Sequence, residues 1–224
     1  TSGRGIHGPQ MTEVTLLHML ALYRQVRRLA KNQENHTWDR FLPYVLENRL
    51  VAIMGLGAIA EHMARCFRAL GMTVYGISRT NRKIEGIDKV FSRDDLTEAV
   101  KDVDFLIALV PFNPETHNII GAKVFYAMKP SACLINVARG GVVDEAALID
   151  ALKNGEISGA GLDVFEESPL PDNSPLWDME NVFITPFTGG RSDKYAERIL
   201  TVIEPNIRAY LDGTTKYMKN IVQF

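Results

Sequence analysis

From Arg49 onward, short apolar runs alternate with segments of helical periodicity. The runs are Leu50–Met54, Thr73–Ile77, Phe105–Val110, Cys133–Val137, Ser158–Asp163 and Val182–Thr185. Runs this short that stay apolar at consecutive positions are what strands buried on both faces look like. Helical segments separate several of them: Ile59–Leu70, Leu96–Lys101, Ala122–Met128 and Glu145–Lys153. Ser92-x-x-Asp95 resembles a capping box opening the second of these. Gly71 and Gly155 stand where helices end on glycine. The pattern predicts an α/β domain with a six-stranded, doubly wound parallel sheet of the dinucleotide-binding (Rossmann) type.

Upstream, Met11–Lys31 reads as one long helix, with Leu16, Leu17, Leu20, Val26 and Leu29 roughly at helical spacing. Arg24, Arg27, Arg28 and Lys31 crowd its second half. They read as a solvated face near a helix C-terminus in preference to a phosphate patch. Thr1–Gln10 is rich in Gly, Ser and Pro and reads as a loop. Asn35–Asn48 is a connector whose Trp38, Phe41 and Leu42 are expected to pack onto the domain. Arg191–Leu211 reads as a last helix that Pro205 should kink or break.

Composition narrows the class. The 224 residues are 46% hydrophobic and carry a formal charge of −2, which fits a soluble domain with a sizeable core. No charge excess points to nucleic acid or to a membrane surface. No apolar run approaches the ~18 residues of a membrane span. Cys66 and Cys133 form neither a disulfide framework nor a metal-ligand cluster, so a reducing, cytoplasmic compartment is expected.

One turn carries specific chemistry. Val51-Ala52-Ile53-Met54 leads into Gly55-Leu56-Gly57-Ala58-Ile59-Ala60 and then into a helix. A lone G-x-G-x-x-A is weak, but the strand before it and the helix after it supply its context. Gly55 would make the tight turn, and Gly57 would let backbone approach a pyrophosphate. Ala60 would bring helix and strand close, and the helix N-terminus would offer N–H donors. After the second strand, an acid would hold the ribose 2′-hydroxyl of NAD. Ser78-Arg79-Thr80 stands there instead, with Arg82 and Lys83 behind. A guanidinium suits a 2′-phosphate and a carboxylate would repel it, so NADP is favoured over NAD.

Further motifs are specific. They are Val110-Pro111 with Glu115-Thr116, Asn136-Val137-Ala138-Arg139-Gly140-Gly141, Leu162-Asp163-Val164-Phe165, Pro169-Leu170-Pro171 and Ile184-Thr185-Pro186. With the glycine turn, they resemble the D-isomer-specific 2-hydroxyacid dehydrogenases from about Gly8 to the C-terminus. The resemblance implies that 1–10 is a remnant of a substrate domain whose N-terminal segment is missing. It implies that 11–190 is the dinucleotide-binding domain, and that 191–224 is a helix and tail returning toward the substrate domain. It implies a homodimer and a small 2-oxo or 2-hydroxy acid as substrate. Arg139 matches the arginine that anchors the acid and polarises its carbonyl. Asp163 matches an aspartate facing the nicotinamide end, or is a structural residue at a strand end. Gly55, Gly57, Ala58, Ile59, Ser78, Arg79, Thr80, Val110, Pro111, Val137 and Ala138 match the cofactor-binding positions.

The pattern breaks at two places. The family has glutamate before Pro-Leu-Pro and histidine after Thr-Pro, and together they handle the proton. This chain has Ser168 and Phe187. Leu109 also stands where the family often has His or Asn. The resemblance therefore implies an oxidoreductase with an altered proton relay, or a dinucleotide-binding protein with a regulatory or assembly role. His18 falls in the first helix and none of the histidines is expected beside Arg139.

Overall fold

The computed structural model describes residues 1–80 and 84–222. Arg82 and Lys83 fall outside the described residues. Two helices open the chain, α1 (Gly8–Tyr23) and α2 (Val26–Glu34). β1 (Leu50–Met54), α3 (Ala58–Ala69), β2 (Thr73–Ser78), β3 (Lys89–Ser92), α4 (Leu96–Ala99) and β4 (Phe105–Ala108) follow. The second half holds α5 (Ala122–Ala127), β5 (Cys133–Asn136), α6 (Glu145–Asn154), β6 (Gly159–Leu162), β7 (Val182–Ile184) and α7 (Tyr195–Leu211).

Among the described residues, seven strands run parallel in one sheet, in the order β3-β2-β1-β4-β5-β6-β7. The expected six are present. β3 is the addition, because Lys89-Val90-Phe91-Ser92 lies on the sheet edge with exposed ends and shows no continuous apolar run. β1 pairs with both β2 and β4, so the direction of winding reverses at β1. A crevice opens beyond the strand C-termini at such a point.

Side-chain alternation along each strand sorts the core into two layers. Val51, Ile53, Phe105, Ile107, Cys133 and Ile135 face a cluster with Met19, Tyr23, Met63 and Phe67 from α1 and α3. Ala52, Met54, Leu106, Ala108 and Leu134 face the opposite cluster, with Phe125 and Leu148 from α5 and α6. Gly159 and Gly161 fall on the α1 side. A Cβ on Gly161 would lie 2.5 Å from His18 Cβ, and one on Gly159 would lie 3.1 Å from Leu22. The missing side chains let α1 lie close against β6.

Several expectations change. The single helix over Met11–Lys31 is two helices, because Gln25 turns left-handed (φ 51°), and the first starts at Gly8 within the expected loop. Arg27 caps carbonyls of Met179, Val182 and Trp177, and Arg28 bonds Asp39, so these bases are tethers as much as a solvated face. Trp38 and Leu42 do not pack onto the domain and are 92% and 95% exposed, while Phe41 lies under the Arg28 guanidinium. α7 runs through Pro205 unbroken. Val202, Asn206 and Ala209 are buried on both sides of the proline, and the Asn206 side chain bonds Lys219 N and O, which offsets the one lost helix bond. No helix among the described residues is long and apolar enough to cross a membrane.

Candidate functional site

The glycine turn sits at the reversal point. Gly55 has φ +110°, and a Cβ there would lie 2.8 Å from the Leu109 carbonyl and Val110 N. Only glycine fits both constraints. Gly55 N donates to Ile77 O and Leu109 N to Met54 O, which ties the turn to β2 and to the segment after β4. Gly57 differs. It is extended, caps α3, and has open space where a Cβ would point. The first turn of α3, with Ala58 and Ile59, follows it directly, so backbone N–H groups face that space. The turn has the shape needed to seat a pyrophosphate, a backbone cradle that a side chain would fill.

A cleft of about 200 Å³ continues from the turn. Gly55, Leu56, Ile77, Ser78, Arg79, Thr80, Val110 and Pro111 line it, together with Arg93 and Asn113, which the sequence reading missed. Ser78 Oγ accepts from Thr80 N at 3.2 Å and shapes the loop after β2. Arg79 Nη1 lies 2.9 Å from Glu115 Oε2. Arg93 was legible only through the strand that precedes it, and that strand has no apolar signature. A much larger concavity of about 1280 Å³ lies at the other end of the sheet, between α2 and the N-terminal ends of β5–β7. It is far from the glycine turn, and the crevice chemistry does not extend to it.

The turn after β5 presents Arg139. Buried Asn136 accepts from Ala138 N and donates to Arg139 O, so Val137 and Ala138 stay buried and Arg139 emerges exposed. A Cβ on Gly140 would lie 1.7 Å from Phe165 O, so this turn packs directly on the backbone after β6. The Arg139 guanidinium lies 5.8 Å from the centre of the Phe187 ring. The two positions thus meet in space, with a cation over an aromatic face.

Phe187 has φ +55° and is half exposed. A bulky residue pays about 1–2 kcal/mol there, whereas histidine is enriched at such angles. Its N–H donates to Asp163 O at 3.0 Å. Asp163 is buried, and its carboxylate accepts from Thr185 Oγ1, Thr188 N and Gly189 N at 2.5, 2.9 and 2.9 Å. These bonds fasten the loop that carries Phe187. Ser168 is exposed and precedes a cis bond to Pro169. Near it, Glu145 accepts from Glu166 N, and burial, then Glu166 and Glu167, hold its carboxyl above the usual range.

One histidine does approach this corner. His18 Nε2 lies 2.9 Å from Thr185 Oγ1, two residues from Phe187. It comes from beneath the sheet edge and is fully buried. Burial lowers its pKa to about 4, against a smaller opposing effect of Asp163. Its ring has no exposed surface. Tyr195 packs on His7 and Lys194 pairs with Glu197, so neither is committed to the crevice mouth.

A family model for the "D-isomer specific 2-hydroxyacid dehydrogenase, NAD binding domain" matches residues 16–189. A glyoxylate reductase of Thermococcus litoralis is 39% identical over 174 residues, which are 77% of this chain and 52% of that protein. A D-3-phosphoglycerate dehydrogenase of Methanocaldococcus jannaschii is 35% identical over 209 residues, covering 91% of this chain and 39% of that protein. The chain therefore spans about half the length of these relatives or less. Among solved structures, an NADPH-dependent glyoxylate/hydroxypyruvate reductase of Sinorhizobium meliloti, in complex with NADP and sulfate, has a TM-score of 0.85 at 31% identity. It covers 97% of this chain and 69% of that one. A D-isomer specific 2-hydroxyacid dehydrogenase of Xanthobacter autotrophicus, in complex with NADPH, has a TM-score of 0.84 at 32% identity and covers 97% and 88%. The strand order, the glycine turn and the Arg139 turn are thus joined to a match over most of the chain, and the chain belongs to the D-isomer specific 2-hydroxyacid dehydrogenase family.

Proposed function

We propose that this chain is the cofactor-binding part of an NADP-preferring reductase for a small 2-oxo acid, or its 2-hydroxy product in reverse, with an altered proton relay. The observation that carries the reading is the cleft that runs from Gly55 and Leu56 to Ser78-Arg79-Thr80, with no carboxylate in the sequence from Ser78 to Lys83. Bound NADPH would supply the hydride. The first turn of α3 would hold the pyrophosphate, and Ser78, Arg79 and Thr80 the 2′-phosphate. Val110, Pro111, Val137 and Ala138 would flank the dinucleotide. Arg139 would anchor the acid and stabilise negative charge growing on its carbonyl oxygen. Asp163 would act through the loop it builds.

Phe187 and Ser168 supply neither a general acid nor a charge to hold one. Losing such an acid costs about 10²–10⁴ in rate. A second reading follows from the same two residues. With no proton donor at Phe187 and no charge at Ser168, the chain would serve as a dinucleotide-binding protein of regulatory or assembly role. NADPH oxidation with glyoxylate and hydroxypyruvate, on the full-length protein and on Ser168→Glu/Phe187→His, separates the two. Slow turnover that rises at least about tenfold in the double variant supports an intact scaffold lacking its relay. Family-like turnover in the parent would show that these positions do not limit it. No turnover in either, with NADPH bound, favours the second reading.

The exposed arm of Trp38, Leu42, Tyr44 and Val45 beside α2 supports a homodimer. Two free cysteines, with Cys133 pushed up to about 11 by burial, suit a reducing cytoplasm.

A further inference from the structure

We propose that Arg93 is the second guanidinium of a 2′-phosphate site, and that Glu115 is the exchangeable counter-ion holding Arg79 and Arg93 ready for it. The proposal rests on the NADP reading above. Its starting point is strand register. β2 and β3 are parallel with Ser78 opposite Ser92, so the next residues, Arg79 and Arg93, leave adjacent strand ends side by side. The sequence repeats Ser-Arg at both exits. Both arginines line the cleft that begins at Gly55.

Arg79 Nη1 and Arg93 Nη2 lie 2.9 and 3.0 Å from the same oxygen, Glu115 Oε2. One anionic oxygen thus already sits where both guanidiniums converge. A phosphate has three oxygens to offer there, and guanidiniums bind such groups in pairs of bonds. Burial divides the roles. The Arg93 side chain is 15% exposed, against 66% for Arg79 and 59% for Glu115. Arg93 is the fixed element, and Glu115 is free to swing into water. Its backbone stays put, because Asn113 Oδ1 accepts from both Glu115 N and Thr116 N.

Charge sets the exchange. Among the described residues, two guanidiniums and one carboxylate leave one positive charge, which a dianionic phosphate overcompensates unless the carboxylate leaves. A cofactor with a 2′-hydroxyl has no charge with which to displace Glu115. The triad is then a threshold that the phosphate crosses and the hydroxyl does not.

Titration of wild type, Arg93→Gln and Glu115→Gln with NADPH, NADH and adenosine 2′,5′-bisphosphate, followed by calorimetry, tests this. Arg93→Gln should weaken NADPH and the bisphosphate by at least about tenfold while leaving NADH within about twofold. Glu115→Gln should tighten both phosphorylated ligands several-fold and leave NADH unchanged. Arg93→Gln with NADPH affinity intact, or with NADH lost in parallel, overturns the proposal. So does Glu115→Gln that weakens NADPH. Wild type binding NADH as tightly as NADPH sinks the NADP reading and this site with it. A wild-type NADPH preference that Arg93→Gln leaves untouched sinks this site alone. If Arg93→Gln does not fold, Glu115→Gln decides by itself.

Discussion

Two glycines two positions apart in one turn do different work. Gly55 is required by the fold, since φ +110° and a 2.8 Å approach to Leu109 leave no room for a Cβ. Gly55→Ala should cost about 2–4 kcal/mol in denaturant unfolding. Gly57 is required by nothing within the chain. Gly57→Ala should stay within about 1 kcal/mol of wild type in stability yet lose at least about tenfold in NADPH affinity. Equal losses of affinity in proportion to stability for both variants would mean that the turn is structural only. The glycine spacing in the sequence already suggests a different role for each. What separates them is the neighbouring strand end, which only the folded chain brings near. The same holds for Asp163: its place in a motif was readable, but the loop it fastens at Thr188 and Gly189 was not.

At the scale of elements, the parallel strands were legible because burial on both faces demands consecutive apolar residues. β3 was not, because an edge strand with exposed Lys89 and Ser92 carries no such demand. The break at Gln25 was also hidden, since helical periodicity runs through it while the backbone turns. The packing of α1 on β6 carries a pH dependence. His18 lies in that contact with its pKa lowered from 6.5 to about 4. Below pH 6.5 the unfolded chain takes up a proton that the folded chain refuses, so stability falls as pH drops from 6.5 toward 4. The full effect is about 3 kcal/mol. His18→Leu should flatten the decline of the urea midpoint between pH 7 and 4.5, at a cost of about 1 kcal/mol at pH 7 for the lost bond to Thr185. An unchanged slope would show that His18 titrates normally in the fold.

For the whole molecule, the arm from Trp38 to Val45 is the clearest departure from expectation. Its large apolar side chains stand exposed, and the homodimer proposed above would cover them. Sedimentation of wild type should give a dimer, and Trp38→Ala/Leu42→Ala should give a monomer with the near-native circular dichroism of a folded domain. A wild-type monomer at micromolar concentration would remove the homodimer reading. The sequence showed the aromatic residues but not their exposure, because a connector can fold back onto its domain as easily as it can leave it.

The sequence by itself determined six of the strands, their alternation with helices and the glycine turn, and it set Ser168 and Phe187 within their motifs. These are local: apolar runs, a glycine spacing and motif register are written in adjacent residues. Tertiary structure decided what faces what. It set Arg139 against Phe187, buried His18 beneath Thr185, and placed Arg93 beside Arg79 across a strand pair whose register no single segment encodes.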